Sequence, residues 1–277
     1  MFDFRYHVAS LAAVFLALVV GIVIGVGLSG QGIVAESERE FLNDRIDELE
    51  ASLGQAETRS DQDRVAVQFA DAAYAAVMEN RLAGRRIAVV FVGRTNELRS
   101  AISAAISDAD GTVVRLRALK VPVDAEALLG AVPLQGIGDV RELGRMLAGE
   151  LLAGGPSPLW DAVAEQLVIE RIPDADAPAD GVVVVRSVDP QEGETARLLN
   201  GLYGGLTGAA PAVWAEGLGP LPSRPEGFAV LRDVSTALGR VSLAVLLETG
   251  AQGEYGPGAP SAVPTIQPVP PLAGTDG

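Results

Sequence analysis

Arg86-Ile87-Ala88-Val89-Val90-Phe91-Val92 is a continuous apolar run. A strand with one wet face alternates apolar and polar residues. A run that is apolar throughout reads instead as a strand covered on both faces, the habit of parallel sheets. Helical spacing follows over residues 97–109, then the turn Asp110-Gly111 and a second strand at residues 112–116. That is one β-α-β unit, and its crossover is expected to be right-handed. Residues 124–152 read as mostly helical, broken around 133–138, and Ser157-Pro158 opens another helix with a cap residue and proline at the first position. The pattern then recurs. Gly181–Arg186 is a third strand, and Asp189-Pro190-Gln191-Glu192 opens a helix to about Leu206, with Asp189 as cap and Glu192 reaching back. Residues 212–215 and 228–231 supply a fourth and fifth strand, and Ser235 is the expected cap of a last helix through Glu248. Alternating strands and helices predict an α/β domain over residues 84–250, a doubly wound, mostly parallel sheet of five strands.

Toward the N-terminus the pattern changes twice. Residues 8–28 carry no formal charge, and at about 1.5 Å per residue such a stretch spans about 30 Å, the hydrocarbon core of a bilayer. A signal-peptide core usually runs only about 7–15 residues. Residues 1–30 therefore read as an uncleaved transmembrane anchor, with cleavage near Gly27-Leu28-Ser29 as the competing reading. Arg5 precedes the span and acidic Glu36, Glu38 and Glu40 follow it, so the positive-inside rule keeps the N-terminus in the cytoplasm and places the remainder outside the cytoplasmic membrane. Within the span, Ala9, Ala13, Ala17, Gly21, Gly25 and Ser29 recur every four residues, a stripe that lets two membrane helices approach closely.

Residues 31–83 read as a coiled-coil stalk. No proline interrupts residues 35–81, and Leu42, Ile46, Leu49, Leu53 and Ala56 follow the 4-3-4-3 spacing of a pairing seam. The frame breaks at Ser60 and Asp63 and resumes at Val67, Ala70, Tyr74 and Val77. Two readings fit this second block: continued pairing between chains, or packing on the domain that follows. Residues 251–277 are dominated by Pro, Gly and Ala and read as a disordered tail.

The net charge of −15 and pI near 4.5 argue against nucleic acid as a partner. The chain has no cysteine, which removes disulfides, thiolate metal sites and cysteine catalysis. Its single histidine, His7, lies at the membrane edge, so a Ser-His-Asp triad in the α/β domain is excluded. No G-x-G-x-x-G or G-K-[ST] loop is present, and no enzyme is expected. Thiolates and thioethers hold Cu(I), and imidazole suits Cu(II). The α/β domain offers Met146 alone of these, with Met78 on the helix before it, so no metal site or resident cofactor is predicted. Ligands of doubly wound sheets bind beyond the carboxyl ends of the strands, where Arg94, Asn96, Asp189 and Asp233 form the candidate edge, with Thr95, Ser187, Glu216 and Ser235 beside them. Several of these positions are also where helices need caps.

The opening stretch Phe4-Arg5-Tyr6-His7-Val8-Ala9-Ser10-Leu11-Ala12-Ala13-Val14-Phe15-Leu16-Ala17-Leu18, with Gly21 and Gly25 behind it, resembles the start of the actinobacterial copper transporter family, also called mycobacterial copper transport protein B. Near the other end, Tyr255-Gly256-Pro257-Gly258-Ala259 resembles that family's closing element, with Glu254 where the family pattern has histidine. The resemblance implies one N-terminal span, a coiled-coil stalk and an α/β envelope domain. It also implies a role in copper efflux or tolerance through an outer-membrane channel, while a corynebacterial relative is linked to a partner protein and to control of cell-wall hydrolysis. Copper enters through this resemblance alone. A membrane β-barrel needs many strands of about 9–11 residues alternating apolar and polar, and the strands here are apolar throughout.

Three functions compete. One is a membrane-anchored homo-oligomeric scaffold that holds an envelope protein partner. The second is copper homeostasis, direct or through a metal-holding partner, and the third is a small-ligand sensor at the carboxyl edge.

Overall fold

The computed structural model describes residues 4–29, 33–94, 98–132, 137–172, 176–186, 188–216 and 226–267. They fall into two compact units, residues 1–66 and 67–277.

In the first unit, Phe4–Ser29 is a helix (α1), and its stretch Val8–Gly27 is long and apolar enough to cross a membrane. Its side chains from Val8 to Gly27 are exposed in a single copy, the stripe of Ala13, Ala17, Gly21 and Gly25 included. A Cβ placed on Gly21 or Gly25 would meet nothing within 4 Å. A second helix, Ile33–Met78 (α2), begins in this unit. Leu49 and Leu53 are 59% and 60% exposed on it, whereas the side chains of Leu42 and Ile46 lie outside what is described.

The second unit is built on one sheet. Its strands are Arg86–Val92 (β1), Thr112–Leu119 (β2), Val168–Ile172 (β3), Gly181–Arg186 (β4), Ala212–Glu216 (β5), Ala229–Arg232 (β6) and Glu254–Tyr255 (β7), in the order β3-β2-β1-β4-β5-β6-β7. All neighbours are parallel except β2 and β3. From β1 the chain winds outward to β2 and β3, then returns to the other side of β1 at β4. Strand order therefore reverses between β1 and β4, the switch point of an open α/β sheet.

The apolar runs split between two cores. Ile87, Val89 and Phe91 face one, and Ala88, Val90 and Val92 face the other. Val183 and Val185 against Val182 and Val184 repeat the division on β4. One face is covered by Leu98–Asp108 (α3), Ala237–Thr249 (α9) and the end of α2. The other is covered by Ala125–Ala131 (α4), Val140–Ala153 (α5), Pro158–Ala162 (α6), Ala164–Leu167 (α7) and Gly193–Leu206 (α8). With no wet face, neither side of the central strands alternates.

Several expectations are corrected. The sheet has seven strands, not five, and both additions are edges. β3 reads as intermediate and exposed in alternation and carries Glu170 and Arg171, the charged habit of an edge strand rather than an apolar run. β7 is two residues long, inside the segment expected to be disordered. Residues 251–267 of that segment are described, with Pro264 buried, and the rest lies outside the described residues. The helix expected to open at Asp189 begins at Gly193 and follows Glu192, and Asp189 lies exposed in the preceding loop. The last helix is capped by Thr236 rather than Ser235, with the Thr236 hydroxyl accepting from Gly239 N at 3.1 Å. The second heptad block packs partly on the sheet unit. Tyr74 and Val77 lie against its core, the Tyr74 hydroxyl donates to Asp108 at 2.7 Å, and the Arg240 guanidinium sits 4.7 Å over the Tyr74 ring.

Candidate functional site

The strand register brings a row of charged residues to the carboxyl edge of the sheet. Arg186 lies opposite Val92, and Glu216 lies opposite Arg232. Each ends its strand: GVVVVR, AVWAE and AVLR are apolar up to a final charge.

Arg186 and Glu216 meet at 3.4 Å with side chains only 14% and 10% exposed. The indole N–H of Trp214 donates to the same carboxylate. The Arg186 guanidinium lies 5.8 Å over the Trp214 ring, a cation–π arrangement. Trp214 in turn packs edge-on against Tyr203 at 5.0 Å and Phe228 at 5.7 Å. Burial pushes the Tyr203 phenol up, opposed by the nearby Arg186 charge. The carboxylate of Glu216 is thus held between a cation and an indole donor, on an aromatic base.

Arg232, next in the row, reaches Glu254 at 3.9 Å and donates to the carbonyl of Pro257 at 3.4 Å. Asp233 follows at φ 58°, and its backbone N–H donates to the Glu216 carbonyl at 3.1 Å. The Ser235 hydroxyl donates to the Asp233 carboxylate.

Of the residues expected at this edge, Asp233 adjoins the Arg186–Glu216 pair through its backbone. Arg94 lies exposed after β1, Asp189 lies exposed after β4 with its carbonyl accepting from Gln191 at 2.8 Å, and Asn96 is outside the described residues. Arg186 and Arg232 were missed. The signal available for them was the charge that closes each apolar run.

Two further arginines are fully buried on β2. Arg115 donates to the carbonyls of Leu151 at 2.9 Å and Gly155 at 3.2 Å, satisfying acceptors at the end of α5. Arg117 donates to the carbonyl of Ile172 at 2.9 Å and lies 5.5 Å over the Trp160 ring. Opposite the carboxyl edge, Arg86 pairs with Asp180 at 2.8 Å, and that hydrogen bond holds the Asp180 carboxyl below the usual carboxylate range. Among the described residues there is no group of three or more His, Cys, Asp or Glu arranged to hold a metal ion.

No curated protein matches the chain. The family described as "Copper transport outer membrane protein, MctB" matches residues 1–264, and the chain belongs to that family. This membership and the N-terminal apolar helix together fit a membrane-anchored protein.

Proposed function

Taking that membership as the premise, we propose that this chain is a membrane-anchored, self-associating envelope protein whose α/β domain holds a protein partner and performs no catalysis. Copper handling is then indirect, through a partner that supplies the metal ligands. The observation that carries this reading is the seam at Leu49 and Leu53. A single copy leaves both leucines more than half exposed, at successive seam positions on a 46-residue helix. Exposed leucines in coiled-coil register lose apolar surface to water when a second helix lies beside them. The small-residue stripe of α1 supports pairing in the same sense. Arg5 before the span and the acidic residues after it support an N-terminus on the cytoplasmic side.

The absence of native cysteine makes the test clean. Leu49→Cys in the full-length protein, oxidised in membranes, is expected to give a disulfide-linked dimer, while a cysteine at exposed Ser52 on the same helix cross-links far less. Equal yields at the two positions, or none at either, would overturn the paired seam.

The family description favours a second reading, in which the protein itself moves copper. Cell-associated copper under mild copper load separates the two. A strain lacking the protein accumulates copper if the protein is needed for efflux, and complementation reverses this. Complementation by a variant lacking Met78 and Met146 then points to ligands on a partner.

A further inference from the structure

Residues 249–267 run out along the edge of the sheet and return to the corner where they began. The excursion starts at the end of α9, where Glu248 accepts from Arg81 Nη1 at 2.7 Å. It runs along β6 as β7, with Val230 opposite Glu254 and Leu231 opposite Tyr255. At the carboxyl edge it turns. The Gly256 N–H donates to the carbonyls of Ser261 and Ala262, each at 3.1 Å, and Ala259 N–H donates back to Gly256 at 3.1 Å. The chain then passes buried Pro264 and reaches Gln267, whose carbonyl accepts from Arg81 Nη2 at 3.1 Å.

One guanidinium therefore holds both ends. Its remaining donor, Nε, bonds the Val77 carbonyl in the last turn of α2 at 2.6 Å. The Arg81 side chain is only 4% exposed. The planar guanidinium presents donors along three edges at fixed angles, a geometry an ammonium does not reproduce.

The tip is fitted as closely as the clasp. Gly256 has φ +105°, and a Cβ there would fall 2.5 Å from the Arg232 carbonyl oxygen. Pro257 and Gly258 beside it are exposed, and the Pro257 carbonyl accepts from Arg232 at 3.4 Å. The strap thus touches the charged row of the carboxyl edge at its tip and, at its base, reaches the last turn of α2 through Arg81.

We propose that residues 249–267 form a strap clasped at both ends by Arg81, which couples the carboxyl edge of the sheet at Arg232 to the last turn of α2. The coupling runs in both directions: a change at the tip alters the hold on the last turn of α2, and a change there alters the tip.

Backbone hydrogen exchange on the full-length protein in detergent micelles tests this. The reporters are the amides of Glu79, Arg81 and Leu82 at the base and those of residues 254–262 at the tip. Gly256→Ala is expected to speed exchange at the base by about tenfold while β1 and β4 keep their protection. Arg81→Lys is expected to speed exchange at the tip. The proposal is overturned if Gly256→Ala loosens residues 254–262 alone, or if Arg81→Lys leaves them unchanged. Should Gly256→Ala also lower protection in β4, Glu254→Gln, which removes the charge paired with Arg232, is read for the same two outcomes.

Discussion

Gly201 on α8 lies against the backbone of Arg141 on α5, so closely that a Cβ on Gly201 would fall 2.0 Å from the Arg141 carbonyl oxygen. Gly144 makes the reciprocal approach, its Cβ position lying 2.1 Å from the Leu198 carbonyl oxygen. The two helices cover the same face of the sheet, and these missing side chains, with that of Gly205 against Ala148 and Arg145, set their separation. Glycine in a helix interior is otherwise unfavourable by about 1 kcal/mol relative to alanine.

Gly201→Ala is therefore expected to destabilise the sheet unit by about 3 kcal/mol, the upper range of overpacking costs. Gly204→Ala is the matched control. A Cβ there meets nothing within 4 Å, so the substitution is expected to be neutral or stabilising by about 0.5–1 kcal/mol. Denaturant melts of both variants followed by tryptophan fluorescence check the pair, since Trp160 and Trp214 are buried in the core. Equal stabilities would show that α5 and α8 separate at little cost.

Glu216 and Arg186 make a second contrast. Glu216→Gln leaves the Arg186 charge in a mostly buried setting without its anion, and the expected loss is about 2–3 kcal/mol. Arg186→Met in the same background is expected to recover part of it, because the charge that suffered is gone. A double-mutant cycle on unfolding free energy measures the coupling. Additive losses would mean that solvent, rather than Glu216, balances Arg186.

Acid should act on the Arg86–Asp180 pair. The folded-state pKa of Asp180 lies below its unfolded value, so the pair stabilises the fold above the unfolded pKa and that contribution fades as pH falls through the folded one. The window opens near pH 4 and extends below it, given an ordinary carboxylate pKa of about 3.9. Asp180→Asn is expected to lower the melting temperature at pH 7 and to flatten its decline on acidification. A decline with unchanged slope would assign the acid sensitivity to other carboxylates.

Arg115 has a purely internal task. Arg115→Met keeps an unbranched apolar stem but strips the donors from the Leu151 and Gly155 carbonyls, an expected loss of about 2 kcal/mol. Exchange of the amides in the last turn of α5 should quicken along with it. An unchanged melt would place water on those carbonyls.

Some of this was legible in the residues alone. A strand buried on both faces is usually apolar at consecutive positions, and that local rule exposed β1, β4, β5 and β6, while β2, with Arg115 and Arg117 inside it, was placed by the Asp110-Gly111 turn before it. The anchor helix was legible for a similar reason, since twenty uncharged residues in a row are a property of composition and length. The edges were not. β3 carries two charges in five residues, and β7 is two residues in a Gly- and Pro-rich segment, so their strand character comes from the neighbour that pairs with them. Cap positions slipped for another reason: Asp189, Ser235 and Thr236 are all competent caps by type, and only the path of the loop selects one.

The sequence by itself determined the central strands and their helices, the N-terminal apolar helix and the family, because hydrophobic period, length and the opening run are written in consecutive residues. The tertiary structure alone decided which residues share the carboxyl edge, why Gly144 and Gly201 are glycine, and how Arg81 comes to hold three separate segments. Each of these joins positions tens to nearly two hundred residues apart. Register and packing set their distances, and no local pattern encodes them.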